Sequence, residues 1–331
     1  LHHPRNGRMA LFRTQAKPYG MINLELFSTL PLHMWLETEL KLAATGGAPI
    51  IASVVADPDP VNTQKTALAI VNTGLVAMVE VNVSCPMPAE KVGMHIGRDP
   101  QLTREQVKAV KEVIDLPVAV KLSPNFAYLD EVAKAAEAAG ADAISATNSV
   151  QALYGVDVET GIPILPAFGG YSGPAIKPIT MRCVAKIAKA VNIPIAGIGG
   201  VNHWRDVVEY IMLGATAVQT CTAVMWRGLD VFKELSDGLQ TFMERKGYET
   251  IEEFRGIALK HLTTVEDLAK LTSKYAAIDK ERCNGCLLCM GVCQYDALEK
   301  AHDKVQINRE KCDGCGLCEA WCPNNAIELT E

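Results

Sequence analysis

VEVNVSCPMP, residues 79–88, alternates apolar Val79, Val81 and Val83 with polar side chains. Alternation with a period of two is typical of a β-strand. The strand ends abruptly, because the prolines at 86 and 88 cannot donate to a central sheet ladder. The stretch therefore predicts a strand that carries the thiol of Cys85 at its C-terminal tip. Burial in a core is the commonest fate of a lone cysteine, but a core position would not need the prolines, so Cys85 is a candidate reactive residue.

Six apolar, β-rich runs lie along the chain with helical stretches between them. VAMVEVNVS from 76 is one, and the others are PIIASVV from 49, PVAVKLS from 117, ADAISATNS from 141, IPIAGIGG from 193 and TAVQTCTAV from 216. Such runs predict a parallel sheet covered by helices, either doubly wound or a (β/α)8 TIM barrel. Unusual polar or small residues follow several of the strands, which is where barrel enzymes place their sites. They are Asn82, Ser84, Cys85, Lys121, Thr147, Asn148, Ser149, Gly199, Gly200, Cys221 and Thr222. Their positions favour the barrel.

Local signals predict details of the helices. Thr103 and Gln106 have the spacing of a capping box at the start of a helix. Gly140 and Gly214 are expected to end two other helices. Cys183 lies on an apolar helix face, so we expect it in the core.

Six strands are two fewer than a TIM barrel requires. The first 48 residues predict loop and helix, including a helical LPLHMWLETELKLAA from 30, and no buried strand before PIIASVV. The chain also opens on leucine. An open six-stranded remnant would expose an edge, so we expect roughly 40 to 70 further residues upstream that supply the first two strands.

Cysteine spacing is the strongest signal near the C-terminal end. Eight of the eleven cysteines form two runs, each with the spacing C-x2-C-x2-C-x3-C. They are Cys283, Cys286, Cys289 and Cys293, then Cys312, Cys315, Cys318 and Cys322. Regular spacing argues against a disulfide framework, and zinc sites usually use two short cysteine pairs separated by a longer spacer. Three thiolates at two-residue intervals are typical of a 4Fe-4S cluster.

Composition excludes several function classes. The net charge of −6 gives no basic surface for nucleic acid. No apolar run approaches the roughly 20 residues of a membrane span. No signal segment is recognisable at the start, so a cytoplasmic protein is expected.

Iron–sulfur clusters pass one electron at a time, whereas most organic reductions move two, so a flavin is the usual partner of the clusters. The turns after the last two strands, which contain Gly199, Gly200, Cys221 and Thr222, match the phosphate site of barrel enzymes. Lys121 is either a rim lysine with a buried stem or a cation beside the flavin ring.

The last 53 residues resemble a bacterial-type ferredoxin with two 4Fe-4S clusters. The whole chain resembles the dihydropyrimidine dehydrogenases, through GMINLEL at 20–26, NVSCP at 82–86, VKLSPN at 120–125, SATNSV at 145–150, GYSGPAIKPI at 170–179, GIGG at 197–200 and VQTCTAV at 218–224. This resemblance implies an FMN barrel over residues 1–255, a helical linker over 256–278 and a ferredoxin domain over 279–331.

The resemblance also implies roles for individual residues. The FMN contacts are Asn82, Lys121, Thr147, Gly173, Gly199, Gly200, Cys221 and Thr222. One cluster takes Cys283, Cys286, Cys289 and Cys322, and the other takes Cys312, Cys315, Cys318 and Cys293. Cys85 is the general acid, on a mobile loop that closes over the substrate. A pyrimidine would be bound by Asn23, Asn82 and Asn148, whose amides match its alternating C=O and N–H edge, with Ser84 and Ser149 as hydroxyl partners.

The implied function is reduction of the C5=C6 bond of uracil or thymine, or the reverse oxidation, in pyrimidine catabolism. An NAD(P)H-oxidising flavoprotein subunit with FAD and iron–sulfur clusters would supply the electrons, within a homodimer or hetero-oligomer. One alternative is a dihydroorotate dehydrogenase or another ene-reductase on the same barrel. Orotate would need a cation near its carboxylate, and the motifs supply none clearly. The other alternative is an electron-transfer module with a non-catalytic barrel.

Overall fold

A computed structural model describes residues 9–13, 18–25, 28, 30–86, 92–264, 267 and 274–330. The chain forms two compact units, residues 1–261 and residues 262–331. No helix in the described ranges is long and apolar enough to cross a bilayer.

The first unit contains ten described strands, ten described α-helices and three short 3-10 helices at Pro174–Ile176, Ile251–Glu253 and Leu259–His261. The strands are β1 Met9–Arg13, β2 Pro18–Asn23, β3 Ile51–Val55, β4 Met78–Asn82, β5 Val118–Leu122, β6 Ala143–Ala146, β7 Val150–Ala152, β8 Gly169–Ser172, β9 Ile195–Ile198 and β10 Ala217–Gln219. The helices are α1 Leu32–Glu37, α2 Glu39–Ala44, α3 Pro60–Val71, α4 Met94–Gly97, α5 Pro100–Lys111, α6 Leu129–Ala138, α7 Lys177–Ala188, α8 Trp204–Met212, α9 Thr222–Arg227 and α10 Asp230–Lys246.

The six apolar runs form one parallel sheet in the order β10-β9-β6-β5-β4-β3. All six predicted strands are confirmed, and with their flanking helices they give the predicted TIM-barrel-like α/β fold. Strands β3 and β10 are the two edges of this sheet in the described part of the chain. The expected upstream strands remain a prediction.

Alternation along the strands separates the core from the site. Val79, Val81 and Val83 are fully buried in the main apolar core, together with helix residues such as Val107 and Val110. Full burial of a valine contributes about 1.5–3 kcal/mol. Cys183 is 1% exposed in the same core, as predicted.

A second, antiparallel sheet in this unit has the order β1-β2-β8-β7. It corrects the expectation of no buried strand before residue 49, because Met21 and Ile22 of β2 are buried. Ile22 packs with Leu24 and Leu165 in a small apolar cluster separate from the main core. The helix predicted from residue 30 is present as α1 and α2, which Thr38 separates.

The capping box predicted at Thr103 and Gln106 is wrong. A cap at Thr103 would start the helix at residue 104, but helix α5 begins at Pro100. The Asp99 carboxylate accepts from the N–H of Gln101 at 2.8 Å. Proline at the first helical position has the φ that the helix needs. Thr103 and Gln106 are instead buried within α5, and the Gln106 amide accepts from the Thr63 hydroxyl of α3 at 2.7 Å. Helices α6 and α8 end just before Gly140 and Gly214, as predicted.

Between residues 274 and 330, the second unit has two short antiparallel strand pairs and one short α-helix. The strands are β11 Tyr275–Ile278 with β14 Ile327–Thr330 and β12 Leu298–Ala301 with β13 Lys304–Ile307, and the helix is α11 Leu317–Trp321. Its small core includes Ala276, Leu298, Val305 and Ile327 beside the cysteines.

Candidate active site and cluster sites

A cavity of about 320 Å³ lies at the C-terminal ends of the parallel strands. Strands β5, β6, β9 and β10 supply one wall, and β2 and β8 of the antiparallel sheet supply another. The structure brings ten of the predicted site residues to this cavity: Asn23, Lys121, Thr147, Asn148, Ser149, Gly173, Gly199, Gly200, Cys221 and Thr222. Asn82, Ser84 and Cys85 are not among its lining residues.

The turn after β9 has the form of an anion cradle. Gly199 and Gly200 have φ of +135° and +72°, which side chains rarely adopt. A Cβ on Gly199 would lie 2.4 Å from Thr180 Cγ2, so the turn also needs glycine for space. No described residue accepts from the N–H groups of Gly200 or Val201. These amides fit a phosphate group of a bound cofactor.

A buried polar network fixes this turn from behind. The carbonyl of Gly199 accepts from the Tyr210 hydroxyl at 2.6 Å and from the Thr180 hydroxyl at 3.1 Å. Tyr210 is fully buried, and this burial raises the pKa of its phenol, so it stays a neutral donor. The Asp206 carboxylate accepts from the backbone N–H of Asn202 at 2.8 Å and pairs with Lys177. The turn is therefore held at both ends before any cofactor binds.

Polar side chains form a chain from β4 to the cavity wall. The Asn82 carboxamide oxygen accepts from the Ser84 hydroxyl at 2.8 Å. The Ser84 hydroxyl accepts from Asn148 Nδ2 at 3.0 Å. The Asn148 oxygen in turn accepts from the backbone N–H of Ser149 at 2.8 Å. Asn82 and Ser84 thus act on the cavity by orienting Asn148, which lines it.

Cys85 is buried and lies just beyond this chain. Residues 87–91, which follow it, fall outside the described residues. The predicted mobile loop and Pro88 lie in this stretch. The loop returns at Gly93, where φ is +57° and a Cβ would lie 2.8 Å from Cys85 Cβ. The carbonyl of Cys85 accepts from the backbone N–H of Met94 at 3.1 Å. The segment that follows the loop, at Gly93 and Met94, is therefore packed against Cys85.

Asn125 and Gln151, which were not among the predicted site residues, connect Pro86, the residue after Cys85, to the cavity wall. Asn125 accepts from the backbone N–H of Gln151 at 2.9 Å and donates to the carbonyl of Ser149 at 3.3 Å. Gln151 Nε2 donates to the carbonyl of Pro86 at 2.9 Å. The available signal was that Asn125 ends the motif VKLSPN and that Gln151 directly follows the motif SATNSV.

Glu25 and Asn202 also line the cavity and were missed. Glu25 comes two residues after Asn23, and Asn202 two residues after Gly200. The side-chain oxygen of Asn202 is buried without a hydrogen-bond partner among the described residues. It is a polar atom available to a bound molecule.

The eight cysteines of the second unit lie around two small cavities. Cys283, Cys286, Cys289 and Cys322 line one, and Cys293, Cys312, Cys315 and Cys318 line the other. These sets are the two that the ferredoxin resemblance implies.

Backbone N–H groups already point at ligand sulfurs in the second unit. Ala297 N–H donates to Cys293 Sγ at 3.4 Å, and Ala326 N–H donates to Cys322 Sγ at 3.3 Å. Hydrogen bonds of this kind stabilise cluster thiolates and tune their reduction potentials. The cysteines therefore fit two clusters.

Comparisons with known proteins agree with this architecture. The dihydroorotate dehydrogenase family model matches residues 11–243, and a 4Fe-4S dicluster domain model matches residues 276–329. The cofactors are therefore FMN in the barrel and two 4Fe-4S clusters in the second unit, as the sequence analysis expected.

Several relatives carry the name dihydroorotate dehydrogenase B (NAD(+)), catalytic subunit. The protein from Pyrococcus abyssi is 41% identical over 245 residues, 73% of this chain and 79% of the relative. Those from Methanothermobacter thermautotrophicus and Pyrococcus horikoshii are 46% and 48% identical over 182 residues, 55% of this chain and 60% and 59% of the relatives. The alignments thus span about three-fifths of the length of these two relatives.

The names of these relatives bear on which family the sequence motifs resemble. The sequence motifs resemble the dihydropyrimidine dehydrogenases, and dihydroorotate dehydrogenase was the alternative prediction. The family model and the relatives named above favour that alternative. The chain belongs to the dihydroorotate dehydrogenase family, and a 4Fe-4S dicluster domain follows its barrel.

Proposed function

We propose that the chain oxidises dihydroorotate to orotate and passes the two electrons through its clusters to an NAD-linked flavoprotein partner. The proposal rests on a cavity that is lined by Asn23 and Asn148 and lies beside a turn suited to an anion. It also rests on the relatives named dihydroorotate dehydrogenase B. The partner would be a separate subunit, because those relatives are named catalytic subunits. A homodimer or hetero-oligomer stays a prediction.

The chemistry divides between the cofactor and this chain. Bound FMN supplies the acceptor for the hydride that leaves C6. Asn23 and Asn148 offer donors and acceptors for the edge of the pyrimidine ring, and Ser149 lines the same wall. Lys121 would lie beside the flavin ring and stabilise negative charge there.

Cys85 would take the proton from C5 as a thiolate, or return it as a thiol in the reverse direction. Loss of that proton and of the C6 hydride forms the C5=C6 bond, so atoms and electrons balance. The hydrogen bond from Gln151 to the carbonyl of Pro86 would help to hold the backbone next to Cys85 in place. Positioned acid–base groups contribute about 10²- to 10⁴-fold to rate.

Reduction of uracil or thymine is a second candidate, favoured by one feature of the cavity. Glu25 lines it, and Lys121, the one cationic lining residue in the described part of the chain, is already paired with Glu80 at 3.7 Å. A carboxylate in the cavity disfavours an anionic substrate and does not affect a neutral pyrimidine.

Substrate-dependent reoxidation of the flavin separates the two candidates. The protein is reduced anaerobically, and orotate, uracil, thymine or a simple enoate is added while the flavin absorbance is followed. Orotate as the best oxidant supports the proposal, and uracil or thymine as the best oxidant overturns it in favour of the second candidate. Glu25→Gln, with the exposed Glu37→Gln as control, should tighten orotate binding about tenfold if the Glu25 charge acts on the substrate.

A further inference from the structure

Glu80 is a buried charge that the proposed chemistry does not use. It lies in the middle of β4 with 4% of its surface exposed, between the fully buried Val79 and Val81. Because side chains alternate along a strand, Glu80 points away from the valine core, toward the inside of the curved parallel sheet.

Two neighbours on the adjacent strands hold this carboxylate. The Ser53 hydroxyl of β3 donates to Glu80 Oε1 at 2.8 Å. The Lys121 ammonium of β5 lies 3.7 Å from the same oxygen. The side chain of Lys121 is 19% exposed, and it lines the cavity. The sheet therefore places a carboxylate directly behind the cation that faces the cofactor.

Burying an unpaired carboxylate is costly, so this arrangement constrains both partners. Lys121 has a long flexible stem, and the carboxylate gives its ammonium one preferred place. The negative charge of Glu80 also offsets part of the positive field that Lys121 projects into the cavity. Within the lining that the structure describes, no other cation supplies such a field.

We propose that Glu80 is a positioning residue that sets the place and the effective charge of Lys121 at the flavin, and thereby lowers the flavin reduction potential. This inference rests on the proposed FMN site but not on the identity of the substrate. Reduced flavin carries more negative charge than oxidised flavin. Removal of the Glu80 charge should therefore favour the reduced form.

The test is the flavin midpoint potential of Glu80→Gln in the full chain, loaded with FMN and clusters. We expect the ratio of reduced to oxidised flavin at a fixed potential to rise about tenfold, which corresponds to a positive shift of about 30 mV for a two-electron couple. Sulfite, an anion that adds to oxidised flavin, should also bind about tenfold more tightly. Neither readout involves turnover, so failure of the dihydroorotate proposal would leave both intact.

Three variants control the measurement. Glu112→Gln removes an exposed carboxylate on the same unit and should leave the potential unchanged. Ser53→Ala removes the hydrogen bond but keeps both charges, so it should shift the potential less than Glu80→Gln. Glu80→Asp keeps the charge. If Glu80→Gln does not retain FMN, the flavin midpoint potential of Glu80→Asp is the test, and a smaller positive shift of that potential is expected. An unchanged potential and sulfite affinity in the FMN-loaded Glu80 variant would overturn the proposal.

Discussion

Tyr210→Phe is expected to weaken FMN binding without touching the cofactor. The change deletes the hydroxyl that donates to the carbonyl of Gly199 at 2.6 Å and that also contacts the Thr180 hydroxyl. The ring stays in place, so the apolar packing of this fully buried side chain is kept. Thr180 continues to satisfy the carbonyl at 3.1 Å. The substitution therefore removes one net hydrogen bond and does not leave the Gly199 carbonyl without a donor.

The magnitude follows from that count. A net intramolecular hydrogen bond contributes about 0.5–1.5 kcal/mol, and each 1.4 kcal/mol is about tenfold in a binding constant. If the lost bond loosens the turn that binds the phosphate, the FMN dissociation constant should rise about two- to tenfold. The assay is titration of FMN into protein stripped of flavin, followed by quenching of flavin fluorescence.

Tyr248→Phe is the matched control. Tyr248 stacks on Phe254 with ring centroids 5.0 Å apart, and its hydroxyl has no hydrogen bond in the described part of the chain. The Tyr248→Phe variant should bind FMN with the same affinity as the unaltered protein. If Tyr210→Phe also binds FMN with unchanged affinity while its melting temperature falls, the hydroxyl stabilises the fold only and the reasoning about the turn is refuted.

Further predictions concern the thiol, the loop and the clusters. Cys85→Ala should retain FMN and both clusters but lose about 10²- to 10⁴-fold in turnover, and Cys85→Ser should also be slow; unaltered turnover would make Cys85 structural. Gln151→Leu releases the carbonyl of Pro86, so turnover should fall severalfold with FMN affinity unchanged; a change confined to FMN affinity would contradict this role. Anaerobically purified protein should contain about eight iron and eight sulfide per chain, whereas stoichiometric zinc without labile sulfide would rule out the clusters.

Much of the parallel sheet could be predicted because its signals are local. Each strand is a short apolar run. The polar residues that end β5, β6, β9 and β10 line the same cavity because parallel strands share a carboxyl edge. Ten of the residues predicted from that rule and from the family resemblance line the cavity, and their roles stay predictions. Spacing alone also located the cluster cysteines, since three ligands of each set come from one run.

What sequence could not give depends on contacts between distant segments. Strand β2 was missed because its Gly20 lacks a strand signal and because one of its two pairing partners, β8, is more than 140 residues away. The capping prediction at Thr103 failed for a local reason instead: Asp99 and Pro100, a few residues earlier, already supply the cap, and Thr103 is buried within the helix. The role of Glu80 depends on Lys121, a residue on a neighbouring strand.

The most direct test of the proposed activity is anaerobic addition of dihydroorotate to the oxidised protein, with flavin and cluster absorbance followed in one turnover. We expect the flavin band to bleach first and the cluster absorbance to fall after it, while dihydrouracil leaves both unchanged. Bleaching by dihydrouracil with no response to dihydroorotate would contradict the proposed function.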